Sequence, residues 1–307
     1  MKKMSCLILA LFLMSCNLLV KKQEYVFTYE FVNANKISQA EINKTMRVLE
    51  KRLEIFGVQH NIKQEGNRLN IGIKANNLDL TSLNNVIANE GKLEFWELYN
   101  GDAFVFSEGF LFDIKQTEAT NNFKAEYDLD IVFSRYKGAP EILRANPKDT
   151  LYINKVLNSK HFKESISIEN SKVKFIWGII DEGYAPLYAA RPNSKNKASL
   201  TSKGVIAARY EFSPIGTPVV SIEMNEHDAL IWEHMTGKAF NNKTHIAIAL
   251  NDLVYSAPGV NMGPIKGGRT QISSNFTIQE AKELSIILSS QEPISMLKLV
   301  NEKKLGK

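Results

Sequence analysis

Residues 219–299 read VVSIEMNEHDALIWEHMTGKAFNNKTHIAIALNDLVYSAPGVNMGPIKGGRTQISSNFTIQEAKELSIILSSQEPISMLKL. Alternating apolar and polar residues in this stretch predict two strands that each bury one face. The apolar positions are Val220, Ile222 and Met224 in the first strand and Ile246, Ile248 and Leu250 in the second. Asn225 is placed to cap a helix between them. Asn251 and Asp252 predict a two-residue hairpin turn, although Asp252 is costlier there than the usual glycine.

The end of the same stretch predicts a second helix and a closing strand. Thr277 and Glu280 form the T-x-x-E pattern of a capping box, which marks a helix start. Apolar residues then recur at helical spacing, at Ala281, Leu284 and Leu288. Residues 295–301 favour a strand. The stretch therefore predicts a mixed α+β unit with alternating helices and strands.

The first hundred residues predict a second α+β unit. Ser38 and Glu41 form another capping box, and Gly57 is placed to end the helix that follows. The predicted elements are a strand at 25–31, a helix to 56, a hairpin at 62–73, a helix at 79–89 and a strand at 92–99. This β-α-β-β-α-β order is typical of a ferredoxin-like (split βαβ) sheet with both helices on one face.

The stretch at 219–299 is similar to the end of the first periplasmic domain of SecD, the accessory membrane subunit of the bacterial protein translocon. The resembling residues are Val220, Ser221, Ala229, Thr236, the run 254–258, Gly267, Gly268, Gln271, Ile272, Ser273, Asn275, Phe276, Thr277, Glu280, Ala281 and Leu284. The strand KLEFWELY at 92–99 looks most like the fused SecD–SecF protein of the Bacteroidota. The resemblance implies a ferredoxin-like base into which an α+β head subdomain is inserted.

These patterns give an expected division of the chain. We expect a signal peptide at 1–15, a tether at 16–24, the base at 25–100, an irregular lineage-specific insertion at 101–150, the head at 151–275, and a closing helix and strand of the base at 276–303. The insertion contains an aromatic-rich run, at Phe104, Phe106, Phe110, Leu111 and Phe112. This run either binds unfolded chains or packs onto its own domain, and packing is the commoner fate of such residues.

The N-terminus predicts a lipoprotein signal. Lys2 and Lys3 precede a nine-residue apolar run, which is far shorter than the roughly 20 residues that cross a bilayer. Leu13-Met14-Ser15-Cys16 then has the pattern of a bacterial lipobox, so Cys16 is the predicted lipid-attachment residue. The alternative is an ordinary signal peptide with a chance cysteine. The lipobox predicts a protein of the cell envelope, anchored to a membrane by lipid and facing the periplasm.

Candidate chemistry is sparse in this sequence. His227 and His234 lie seven residues apart beside Glu226 and Glu233, and seven helical residues span about 10.5 Å, too far for one metal ion. The glycine-rich loop from Gly263 to Gly268 lacks the spacing of a phosphate-binding motif, and no G-x-S-x-G elbow occurs. A formal net charge of +5 over 307 residues does not favour a nucleic-acid binder. We therefore expect no catalytic residue, no metal site and no cofactor.

The leading hypothesis is a non-enzymatic, lipid-anchored periplasmic protein that is accessory to, or derived from, preprotein translocation. Its expected partners are the membrane, translocon subunits and emerging unfolded preproteins. In the family, a movement between head and base is thought to grip such chains, driven by proton flow through membrane helices that this sequence lacks. We therefore expect it to act passively or beside a complete SecD–SecF protein. The alternative is an envelope binding module that reuses a SecD-like fold for an unrelated protein or small ligand.

Overall fold

The computed structural model describes residues 22–33, 35–101, 129–134, 138–165 and 172–305. The predicted lipid-attachment residue Cys16 and the aromatic run at 104–112 lie outside these ranges. Within them, no helix is both long enough and apolar enough to cross a membrane.

The described residues form fifteen strands and six α-helices. The strands are β1 (Gln23–Phe31), β2 (Gln59–Glu65), β3 (Arg68–Ala75), β4 (Leu93–Leu98), β5 (Ile131–Phe133), β6 (Glu141–Ala145), β7 (Lys174–Trp177), β8 (Ala185–Arg191), β9 (Leu200–Thr201), β10 (Val205–Phe212), β11 (Pro218–Met224), β12 (Ile246–Leu250), β13 (Leu253–Ser256), β14 (Arg269–Ser273) and β15 (Leu297–Leu305). The helices are α1 (Gln39–Phe56), α2 (Leu80–Ala88), α3 (Thr150–Asn158), α4 (Lys160–Ser165), α5 (Glu226–Asn242) and α6 (Ile278–Ser289).

The base of the molecule, defined as β1, β2, β3 and β15 with α1 and α2, is an antiparallel sheet in the order β15-β1-β3-β2. Every second residue of β1 is buried, from Tyr25 to Phe31, and packs against apolar residues of both helices. Ser38 caps α1 in a capping box with Glu41, and Gly57 ends the helix at φ 84°. The predicted ferredoxin-like base is confirmed.

One strand prediction for the base is wrong. The segment expected to complete the four-stranded sheet, β4, instead pairs with β12, β8 and β9 in a second sheet. β15 takes the edge position beside β1. The physical reason is that β4 carries apolar residues on both faces, with Phe95 in one core cluster and Trp96 in another, whereas the base covers only one face of its sheet.

The second sheet follows the path β13-β12-β4-β8-β6-β5, with β7 paired to β8 and β9 paired to β4. Its strands β5 and β6 fall in the range 101–150, which was expected to be irregular. That expectation is wrong for these residues, because Ile142, Leu143 and Ala145 are buried in a core with α3. The predicted boundaries of the insertion and the head remain predictions.

A third sheet, β10-β11-β14, is covered by the two long helices of the second half of the chain. Trp232 and Met235 of α5 and Leu284 and Leu288 of α6 share a core with β4, β11 and β12. Helix α6 also packs against α1 and α2 of the base. This one helix therefore links the base to the third sheet, and it begins with the predicted capping box of Thr277 and Glu280.

Candidate functional site

The chain passes between the base and the other sheets through two segments, which we call the junction. Residues 89–92 connect α2 to β4, and residues 290–296 connect α6 to β15. The two segments touch, because the Ile294 amide donates a hydrogen bond to the Glu90 carbonyl at 2.9 Å. The Gly91 amide donates to the Asn89 side-chain oxygen at 2.9 Å, which closes a tight turn within the first segment. Both segments therefore form one hydrogen-bonded unit.

Arg52 of α1 holds both segments of the junction. Its side chain is fully buried and donates to three carbonyls and a hydroxyl: Val86 O at 3.0 Å, Asn89 O at 2.5 Å, Glu90 O at 3.2 Å and Ser290 Oγ at 3.2 Å. Two of these carbonyls lie at the C-terminal end of α2, where the helix dipole favours a cation. Burial lowers the pKa of the Arg52 guanidinium to about 9. The fold thus uses backbone carbonyls, rather than a carboxylate, to accommodate this charge.

Gly91 leaves the space that the Arg52 side chain needs to reach the carbonyls of the junction. Its φ of +72° is unfavourable for residues with a side chain. A Cβ atom at this position would lie 2.6 Å from Arg52 Nη2 and 2.7 Å from Ile287 Cγ2. The position therefore requires glycine for its backbone conformation and for the space.

The predicted hairpin turn between β12 and β13 also contacts the junction. Asn251 and Asp252 both have positive φ, 51° and 64°, as the mirror-image type I′ turn requires. The Asn251 amide donates to Lys92 O at 3.0 Å, and the Lys92 amide donates to Asn251 Oδ1 at 3.1 Å. Asn251 Nδ2 also donates to Asn89 Oδ1 at 2.9 Å. Asp252 pairs with Lys92 Nζ at 2.7 Å, which partly offsets the cost of its backbone conformation.

A groove of about 400 Å³ opens beside the junction, which we call the junction groove. It is lined by Asn85, Ala88, Asn89, Leu250, Tyr255, Phe276, Glu280, Glu283, Leu284 and Ile287. The rings of Tyr255 and Phe276 are stacked, with their centroids 6.1 Å apart and an interplanar angle of 28°. Burial raises the pKa of the Tyr255 hydroxyl, and the charge of Glu280 adds to the effect. The groove therefore combines an apolar and aromatic surface with acidic side chains.

Glu283 of α6 is a buried carboxylate in the wall of this groove, with 6% of the residue exposed. It accepts hydrogen bonds from Asn85 Nδ2 at 3.0 Å and from Gln279 Nε2 at 3.2 Å. Both donors are neutral amides, and no ion pair to Glu283 is found in the part of the chain that the structure describes. Gln279 also donates to Ser82 Oγ of α2 at 2.6 Å, so these contacts join α6 to the base. The Glu283 carboxyl group is thus oriented by two neutral donors, without a paired cation among the described residues.

The candidate residues named from the sequence lie elsewhere. His227 and His234 both lie on α5, and no group of three or more metal-ligating side chains occurs among the described residues. The glycine loop is a packing feature: a Cβ at Gly268 would lie 2.6 Å from the Ala229 Cβ of α5. Sequence reasoning missed Arg52 and Glu283. The sequence signal that could have identified them is a charged residue directly beside the apolar positions of each predicted helix.

Comparison with known proteins places this architecture in a class. Residues 188–292 match the family model described as the SecDF P1 head subdomain. The SecD subunit of Rhodothermus marinus is 34% identical over 126 residues, which is 41% of this chain and 20% of that protein. The SecD subunit of Endomicrobium trichonymphae is 31% identical over 136 residues, or 43% of this chain and 28% of that protein. The chain thus matches only a fifth to about a quarter of these relatives' length.

Solved structures of SecDF have a similar fold. SecDF in its super-membrane-facing form aligns over 92% of this chain and 30% of its own, with a TM-score of 0.56 and 18% identity. A structure of SecDF, a membrane component that enhances protein export, aligns over 90% of this chain and 98% of its own, with a TM-score of 0.50 and 19% identity. At 18–19% identity these alignments show the fold alone, an α+β fold shared with SecDF. Over the matched residues the chain is similar to SecD and to the SecDF P1 head subdomain, a resemblance that its sequence predicted.

Proposed function

We propose that this chain is a non-enzymatic, lipid-anchored periplasmic protein that assists preprotein translocation by binding emerging unfolded chains. The observation that carries the proposal is the match of residues 188–292 to the SecDF P1 head subdomain. Its partners are translocon subunits and preproteins, and its location is the periplasmic side of a membrane. We propose a passive action on preproteins.

The junction groove supports the chain-binding part of this proposal. Its volume of about 400 Å³ accommodates a few side chains of an extended segment, which advances about 3.3 Å per residue. Stacked aromatic rings and aliphatic residues provide a surface that apolar side chains of many sequences can contact. Tyr255 lies on β13, and Phe276 lies in the segment between β14 and α6. Both lie inside the segment that matches the head family.

The chain-binding proposal can be tested by photo-crosslinking. A photoreactive residue at Tyr255 should crosslink to a translocating secretory protein, and the translocon should co-purify with the chain. The matched control is the same photoreactive residue at Leu230, which is 68% exposed on α5 and is not part of the groove lining. Crosslinks that join Tyr255 only to unrelated envelope proteins would contradict the proposal. They would favour the alternative, a SecD-like binding module reused for another ligand.

The lipid anchor is proposed at Cys16 because a lipobox ends there and only a short tether separates it from β1. Replacement of Cys16 by serine should release the protein from the membrane fraction and abolish incorporation of labelled palmitate. Cys6→Ser is the matched control, since Cys6 is the other of the two cysteines and lies inside the apolar run of the signal. Membrane retention of Cys16→Ser, with normal processing, would refute the anchor without touching the chain-binding proposal.

A further inference from the structure

We propose that the junction groove selects segments of unfolded chain that place a lysine or arginine side chain next to an apolar one. This inference rests on the proposed chain-binding function and specifies its ligand. It is derived from three properties of the groove lining: its charge, its aromatic pair and its aliphatic floor.

The charge of the lining favours a cationic ligand. Glu280 and Glu283 both line the groove, while no lysine, arginine or histidine is among its described lining residues. Glu280 is partly committed to the start of α6, where it accepts from the Thr277 amide at 2.7 Å. Among the described residues, Glu283 has only neutral amide donors, and 6% of the residue is exposed. A buried carboxylate without a countercharge is costly, and a cation entering the groove lowers that cost.

Three acidic groups near the junction, Asp252, Glu94 and Glu97, differ from Glu283 in this respect. Asp252 pairs with Lys92 at 2.7 Å, and Glu94 pairs with the same lysine at 3.6 Å. Glu97, on the same strand as Glu94, pairs with Lys238 at 2.5 Å. These three carboxylates are therefore paired with lysines of the same chain. Glu283 keeps its charge available to a ligand.

The aromatic pair and the floor suit the remaining parts of a basic side chain. A lysine or arginine cation is attracted to the face of an aromatic ring within about 6 Å of its centroid, and Tyr255 and Phe276 present two such rings. The aliphatic stem of the same side chain can lie on Leu284 and Ile287. A neighbouring apolar residue of the ligand fills the rest of the groove beside Leu250 and Ala88.

The test compares peptides that differ only in charge. The full chain is titrated, by fluorescence anisotropy, into three labelled peptides of equal length in which leucine alternates with lysine, serine or glutamate. The lysine peptide should bind about tenfold more tightly than the serine peptide, and the glutamate peptide should bind most weakly. Raising the salt concentration should reduce only part of the lysine preference, because salt screens the exposed Glu280 and acts much less on the buried Glu283.

Two substitutions test whether the preference for the lysine peptide arises in this groove. Glu283→Gln should reduce the lysine-over-serine preference to about threefold or less. Glu54→Gln is the matched control, since it removes the same charge from an exposed position of α1 outside the groove lining. Tyr255→Leu keeps an apolar side chain but removes one ring, and it should lower the affinity for the lysine peptide about threefold. This second variant provides an independent test if Glu283→Gln fails to fold.

The outcomes separate this inference from the proposed function. Equal binding of the three peptides, or a lysine preference that survives both Glu283→Gln and Tyr255→Leu, overturns the inference and leaves chain binding intact. Failure of every peptide to bind overturns both, because it removes the chain-binding activity itself. Loss of the lysine preference in Glu283→Gln, with Glu54→Gln unchanged, supports the inference.

Discussion

Two charged side chains are buried at the junction, and they are satisfied in different ways. Arg52 of α1 is fully enclosed, and three backbone carbonyls and one hydroxyl surround its donors. Glu283 of α6 is nearly as buried, but it has two amide donors and borders an open groove. The first arrangement is closed and fixes two segments of backbone. The second leaves a charge facing a space that a ligand can enter.

This difference shows how one region can combine rigidity with binding. Hydrogen bonds from Arg52 reach across 34 to 238 residues of sequence, so they fix segments that are distant along the chain. Because the same segments flank the groove, Arg52 positions the groove without lining it. Glu283 contributes to that positioning through Asn85 and also presents a charge to the groove. Substitutions at Arg52 should therefore act on stability, and those at Glu283 on ligand choice.

The largest expected effect is that of Arg52→Met. The substitution removes four hydrogen bonds from a charged donor, three to the carbonyls of Val86, Asn89 and Glu90 and one to Ser290 Oγ. Hydrogen bonds to charged groups contribute about 1.5–3 kcal/mol each. Partial relaxation and the relief of burying a charge reduce the sum, so we expect a loss of about 3–5 kcal/mol in the free energy of unfolding. Urea denaturation followed by circular dichroism measures this quantity.

Arg47→Met provides the control for Arg52→Met, because Arg47 is an exposed arginine on the same helix. It should change the free energy of unfolding by no more than about 0.5 kcal/mol. A loss below about 1 kcal/mol for Arg52→Met would mean that its hydrogen bonds do not hold the junction. The contrast between Arg52, which stabilises the fold, and Glu283, which faces the groove, would then no longer hold.

The next largest effect is expected for Gly91→Ala. The new Cβ would meet Arg52 and Ile287 at less than 3 Å, and the backbone would be held at a positive φ. We expect a loss of about 2–4 kcal/mol, of which the backbone term is about 1–2 kcal/mol. Gly66→Ala is the control, since Gly66 has φ +60° and no atom within 4 Å of the added Cβ. Equal losses for both variants in urea denaturation would show that the close approach to Arg52 is unimportant.

Asn251→Gly is expected to have a smaller effect. Glycine adopts the positive φ of the turn without strain, so the substitution removes only the side-chain hydrogen bonds to Lys92 and Asn89. We expect a loss of about 1–2 kcal/mol in the free energy of unfolding. Asp252→Gly, at the next position, should stay within about 0.5 kcal/mol of the parent, because relief of backbone strain offsets the loss of two exposed ion pairs, to Lys92 and Lys174. If Asp252→Gly proved the more damaging of the two, Asn251 would not be the contact that supports the junction.

The sequence predicted the parts of this structure that depend on local patterns. Both capping boxes, the Asn251-Asp252 turn and the order of the base elements follow from residues close together in the chain. The position of β4 was not predictable in this way. Apolar residues on both of its faces indicate that the strand is buried, but they do not indicate which strands it pairs with. The buried positions of Arg52 and Glu283 were not predicted for the same reason. Their partners, such as Ser290 and Asn85, are distant in sequence, and a single charged residue beside an apolar helix face is usually exposed.

The smallest expected effect on stability is that of Glu283→Gln, and it is the sharpest test of the comparison. Glutamine has nearly the same shape, and its side-chain oxygen can keep one of the two amide donors. Removal of an uncompensated buried charge is favourable, while the second amide loses its acceptor, so the two effects largely cancel. We therefore expect a change within about 1 kcal/mol in urea denaturation, against about 3–5 kcal/mol for Arg52→Met. A loss as large as that of Arg52→Met would place Glu283 among the residues that hold the junction together, because a charge kept for a ligand should be dispensable to the fold.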